Sequence, residues 1–107
     1  MVDSQQFQIV DIDEGNGAAV IEVESELAYS MYSGFKETVR GLIACGVVNL
    51  TYDFSKRSYI QSLALGIIMW SYVEVVGRGG RITIYGANEK VKQIFTAVQL
   101  DTLVTLD

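Results

Sequence analysis

Val47-Val48-Asn49-Leu50-Thr51-Tyr52-Asp53-Phe54 alternates apolar and polar residues, with Val48, Leu50, Tyr52 and Phe54 on one side and Asn49, Thr51 and Asp53 on the other. A period of two is the signature of a strand with one face buried. After a short polar loop the period changes. Ser62 to Val76 is a long apolar run ended by Gly77-Arg78-Gly79-Gly80, and Arg81-Ile82-Thr83-Ile84-Tyr85 then resumes the alternation. A strand, a buried helix and a second strand in succession read as one crossover of an α/β sheet.

The same reading extends in both directions. Towards the N-terminus, Leu27, Met31, Phe35, Val39 and Leu42 mark one face of a helix over 27–44, with Gly46 as its stop. Before it, strands over 6–12 and 18–24 flank Glu14-Gly15-Asn16-Gly17, a hairpin turn. Towards the C-terminus, Asn88 and Glu89 start a helix with Val91, Ile94, Phe95 and Val98 on its core side, and a short strand over 103–106 ends the chain. The expected fold is an α/β domain with a mixed central sheet of about five strands and helices packed on it.

Bulk properties narrow the function. A chain of 107 residues, half of them apolar, is the size of one domain with a substantial core. There are 13 acidic and 8 basic side chains, a formal net charge of −5, and the basic residues are scattered, which argues against binding to a phosphate backbone. The chain has no histidine, so it lacks the commonest general base and a principal zinc ligand. Asp11, Asp13 and Glu14 cluster at the hairpin, where acidic runs are usually solvated turns. We expect no enzyme, no catalytic residue, no metal and no cofactor. Cys45, the single cysteine, cannot form an intrachain disulfide and reads as a small core filler in a reducing, cytoplasmic setting. The N-terminal residues have no signal-peptide pattern, and the apolar run at 63–76 carries Glu74 and falls short of the ~20 residues that span a bilayer, so no membrane insertion is expected.

Ser62 is the residue most suggestive of chemistry, since it stands where the loop turns into the apolar helix. One reading is a helix cap. The other is a phosphate acceptor, because the first turn of a helix offers free N–H donors and the positive end of the helix dipole. At about 100° per residue, Leu63, Ile67, Trp70 and Glu74 share one helix face and Leu65, Met69, Tyr72 and Val76 the opposite one. If the second set is the core, Leu63, Ile67 and Trp70 form an apolar stripe leading away from Ser62; the alternative is that neighbouring helices cover that stripe. Lys56 and Arg57, in the loop before Ser62, are either a solvated pair or a partner for phosphate or acidic side chains.

Three stretches in this order resemble the STAS domain, the family of sulfate transporters and anti-sigma factor antagonists. They are Leu50-Thr51-Tyr52-Asp53-Phe54, Ile60-Gln61-Ser62-Leu63-Ala64-Leu65-Gly66, and Gly79-Gly80-Arg81-Ile82 continuing through Val91-Lys92-Gln93-Ile94-Phe95 and Val98-Gln99-Leu100. The resemblance spans nearly the whole chain and implies one STAS domain over residues 1–107. Set against the family's phosphoacceptor turn, Asp-Ser-Ser/Thr-Gly-Leu-Gly, Ser62 falls on the phosphorylated serine, and Leu65 and Gly66 match. Gln61, Leu63 and Ala64 depart from it, and Ala28 stands where the family has a second acidic residue. By this resemblance the chain is an anti-sigma factor antagonist-like interaction module. It would bind an anti-sigma factor that is also a serine kinase, lose it when Ser62 is phosphorylated, and be reset by a phosphatase. Gln61, Leu63, Ala64, Ile67, Trp70, Lys56 and Arg57 would make the partner contact. The alternative is a non-phosphorylated STAS subunit of a larger assembly, such as a lipid-transport ATPase complex or a sensory scaffold.

Overall fold

The computed structural model describes residues 7–23, 32–55 and 62–107. Strands β1 (Phe7–Asp13) and β2 (Ala18–Val23) pair antiparallel. The turn between them is a short 3-10 segment, Glu14–Asn16, in which Asp13 accepts hydrogen bonds from the Asn16 backbone N–H at 3.3 Å and side-chain amide at 2.7 Å. Register shifts between Ile9 and Asp11, so Val10 is the extra residue of a bulge. Helix α1 (Tyr32–Ala44), strand β3 (Asn49–Asp53), helix α2 (Ser62–Val76), strand β4 (Arg81–Tyr85), helix α3 (Glu89–Ala97) and strand β5 (Thr105–Leu106) complete the order. The sheet order is β1-β2-β3-β4-β5, with β2 to β5 all parallel. Each crossover steps one strand further in the same direction, and right-handed crossovers of that kind place all three helices on one face of the sheet.

Pairing across the sheet explains the burial. Ala19, Leu50 and Ile82 stand side by side, as do Ile21, Tyr52 and Ile84, and all six are buried beneath the helices. The intervening residues, among them Asn49, Thr51, Asp53, Thr83 and Tyr85, line the opposite face and are half-buried or exposed. Phe35, Val39, Leu42 and Ile43 of α1, Ala64, Ile67, Ile68 and Val75 of α2, and Val91 and Phe95 of α3 close the core.

Helix ends follow the chemistry of their sequences. Gly46 has φ +101, which only glycine adopts freely, and Val47 N–H reaches back to the Leu42 carbonyl at 3.0 Å to close α1. Asn88 caps α3, its Oδ1 accepting from Val91 N–H at 2.9 Å, with Glu89 in the first turn. Two expectations are corrected here. Cys45 is exposed, because α1 ends just before it and the chain turns outward. Val98 is exposed too: it is the C-cap that follows the last residue of α3, beyond the part of the helix in which Val91 and Phe95 are buried. The first part of the helix expected over 27–44 lies outside the described residues.

Candidate functional site

Asp53 and Phe54 start the loop that leads to Ser62. Asp53 Oδ1 accepts from Ser55 N–H at 2.9 Å and from Ser55 Oγ at 2.6 Å, an Asx-type turn that bends the chain as it leaves β3. Phe54 is buried, and its N–H extends the ladder to the Tyr85 carbonyl at 2.9 Å. One residue turns the chain at the end of β3 and the other holds that end to β4. Ser62 is the first residue of α2, the position at which helical N–H groups lack intrahelical acceptors. Lys56, Arg57 and Gln61 lie outside the described residues, as do the side chains of Ser62 and Leu63.

The faces of α2 differ from both expected arrangements. Its core face is Ala64, Ile67, Ile68, Ser71 and Val75. This set lies between the two expected ones. Ala64 and Ile67 therefore point into the core rather than along an outer stripe. Trp70 is half-buried on the flank facing α1, where Lys36 Nζ lies 4.9 Å and Arg40 Cζ 5.3 Å from its ring centroid. Leu65 and Tyr72 are half-buried on the other flank. The surface that remains open is Met69, Val73 and Val76, at 45, 59 and 45% exposure, a row of apolar side chains on one helix face. Spacing alone could have found this row, since residues 66, 69, 73 and 76 recur at intervals of three and four; Gly66, which is exposed, extends it towards the start of the helix.

Among the described residues, the one buried polar side chain, Ser71, pairs with the buried Tyr52 hydroxyl. Tyr52 hydroxyl donates to Ser71 Oγ at 2.9 Å, and Ser71 Oγ donates to the Ile68 carbonyl at 2.7 Å. Burial pushes the Tyr52 phenol well above its ordinary value, a shift only partly offset by the Ser71 hydrogen bond. Among the described residues no three of His, Cys, Asp and Glu come together as metal ligands, and no helix is long and apolar enough to cross a membrane.

A parallel four-strand run with all helices on one face, a strand ending in Asp53-Phe54 and a helix opening at Ser62 can be compared with known proteins as a set. The STAS domain family model matches residues 10–107. The chain belongs to the STAS domain family. Solved STAS-like structures superpose closely on it. TM1081 of Thermotoga maritima, a candidate anti-sigma factor antagonist, is 23% identical with a TM-score of 0.80, the match covering 94% of this chain and 84% of that one. The anti-sigma factor antagonist SpoIIAA in its unphosphorylated form is 18% identical with a TM-score of 0.81, covering 94% and 87%. The phosphorylated form of SpoIIAA, described as a Bacillus cell fate determinant, is 16% identical with a TM-score of 0.76, covering 94% and 90%. At these identities the likeness establishes the fold. No curated protein matches the STAS chain significantly in sequence.

Proposed function

We propose that this STAS domain is an anti-sigma factor antagonist that works by partner switching, with Ser62 as the phosphorylated residue and a kinase-type anti-sigma factor as the partner. The observation that carries the reading is the row on α2. Counting back from Val76 through Val73, Met69 and Gly66 at helical spacing arrives at Ser62, so the phosphoacceptor position heads an exposed apolar stripe. A partner seated on Met69, Val73 and Val76 would cover the start of the helix as well. Phosphorylation adds roughly −1.5 to −2 charges. A charge enclosed in an apolar contact without compensation costs several kcal/mol, and about 1.4 kcal/mol is tenfold in affinity, so one phosphate suffices to release the partner. A phosphatase would restore binding. Trp70, beside the stripe, and the loop bearing Lys56, Arg57 and Gln61 are the proposed margins of the contact, with Leu63 next to the acceptor. Ala64 and Ile67 would support it from beneath, since both are buried.

The parallel with SpoIIAA, which exists in unphosphorylated and phosphorylated forms, supports this reading. A constitutive STAS subunit of a larger assembly is the second reading, favoured by Gln61 and Leu63 at positions where the family carries an acidic and a hydroxyl residue. Ser62→Asp and Ser62→Ala separate the two. In titrations against the anti-sigma factor kinase, the switch predicts that Asp abolishes binding and Ala retains it. Equal binding by both variants would sink the switch.

A further inference from the structure

Lys36 and Arg40 lie one turn apart on α1, and both place their charge over the same ring, that of Trp70 on α2. Like charges this close oppose each other, and the ring's negative face offsets part of that repulsion. Arg40 Nε also contacts Glu37 Oε2 at 3.2 Å, an exposed pair with side chains 54 and 67% accessible. Glu74, one turn beyond Trp70 on α2, makes no ion pair with either cation. Among the described residues, Lys36 has no carboxylate within 4.0 Å. An ammonium with three donors and a guanidinium with free edges are thus held in place by an aromatic face, with their rotamer freedom already reduced before anything binds. The arrangement is a small positive patch on a chain whose net charge is −5.

We propose that Lys36, Arg40 and Trp70 form a docking patch for a carboxylate-rich segment of a partner protein, on the α1 flank of α2 and beside the apolar row. The patch rests on the reading of this domain as a partner-binding module, and it adds the partner's chemistry: acidic side chains opposite α1, apolar ones opposite Met69 and Val73. A local positive patch on a chain of net charge −5 orients an approaching acidic segment. Arginine and tryptophan are also the residues over-represented where binding energy concentrates.

Trp70 is the only tryptophan of the chain, so its emission reads the patch directly. The experiment titrates the purified protein at low salt with a synthetic glutamate-rich peptide, and with a glutamine-rich peptide of equal length as control. The expected result is a saturable change in Trp70 emission with the glutamate peptide alone, weakened about fivefold to tenfold in the double variant Lys36→Gln/Arg40→Gln and suppressed by salt. The charge-preserving swap Lys36→Arg/Arg40→Lys should keep binding, which separates lost charge from lost packing. Equal responses to both peptides, or no saturable response in the unsubstituted protein, would overturn the patch. Ser62→Asp should leave this titration unchanged, so failure of the phosphorylation switch and failure of the acidic docking patch are read independently.

Discussion

The Tyr52 hydroxyl lies 2.9 Å from Ser71 Oγ, with both residues fully buried, joining the central strand β3 to the middle of α2 through the only polar side chain that α2 turns into the described core. Ser71 passes its own proton to the Ile68 carbonyl at 2.7 Å, so each hydroxyl hydrogen has an acceptor. The pair explains why a serine sits among the apolar residues of the core face of α2. Removing one partner and removing both should therefore differ. Ser71→Ala strands the buried Tyr52 hydroxyl and is expected to cost about 1–3 kcal/mol, whereas Tyr52→Phe keeps the edge-on contact with Phe35 and should cost about 1 kcal/mol. The double variant should be more stable than Ser71→Ala alone. Urea unfolding of the four proteins measures this, and strict additivity would show that the hydroxyls do not interact.

Tyr52 also predicts an alkaline limit. Its pKa is raised in the folded protein by burial, above the ordinary 10.0 that it regains on unfolding. Below pH 10.0 both states keep the phenol proton and its contribution is complete. Above that pH the unfolded chain loses the proton while the folded one retains it, so stability falls by up to about 1.4 kcal/mol per pH unit until the folded pKa is reached. The decisive quantity is the difference between the unsubstituted protein and Tyr52→Phe, which should shrink above pH 10.0 and then change sign in thermal melts.

Two glycines should respond in opposite directions to alanine. A Cβ on Gly80 would collide with the Val48 carbonyl oxygen and lie 2.7 Å from Val48 Cβ, where β4 begins pairing with the residue before β3. The backbones would have to part, breaking the Arg81 N–H to Val48 carbonyl bond of 3.0 Å, and Gly80→Ala is expected to cost more than about 4 kcal/mol. Gly66 is inside α2, and a Cβ there meets nothing within 4 Å. Gly66→Ala should raise stability by about 0.5–1 kcal/mol through helix propensity alone. Melting temperatures moving the same way in both variants would contradict this account.

The strands were legible from their period of two, and α2 from the length of its apolar run between polar and glycine-rich segments. Helix α2 and strand β4 have the limits expected from residues 62–76 and 81–85, and Asn88 caps α3 as its position implies. What the pattern could not supply was the orientation of α2. Leu63, Leu65, Ile67, Ile68, Met69, Trp70, Tyr72, Val73, Val75 and Val76 surround that helix, so hydrophobicity selects no face. Packing selects instead by fit. The core side sets small Ala64 and Ser71, the latter matched to Tyr52, beside Ile67, Ile68 and Val75. Exposed and core residues are hard to separate in the sequence for the same reason: Ile67 and Val73 are alike in hydropathy, and only the tertiary contact distinguishes them. The loop residues that would complete the site had no periodicity to read.

Val73 is the sharpest test of that distinction. It is 59% exposed at the centre of the outer row, while Ile68, one and a half turns earlier, is 1% exposed in the core. Val73→Asp removes little buried surface, so its folding free energy should stay within about 0.5 kcal/mol of the unsubstituted value. Ile68→Ala should lose about 2–5 kcal/mol. Binding should be affected in the reverse order. An aspartate at the centre of an apolar contact must be desolvated without a counter-charge, which predicts at least about a tenfold loss of affinity for the proposed anti-sigma factor kinase in calorimetric titration. Ile68→Ala, measured well below its melting temperature, should bind nearly as the unsubstituted protein does, because its side chain never reaches the contact. A Val73→Asp protein that folds normally and binds undiminished would remove the outer row from the interface, leaving the α1 flank around Trp70 as the surface to test next.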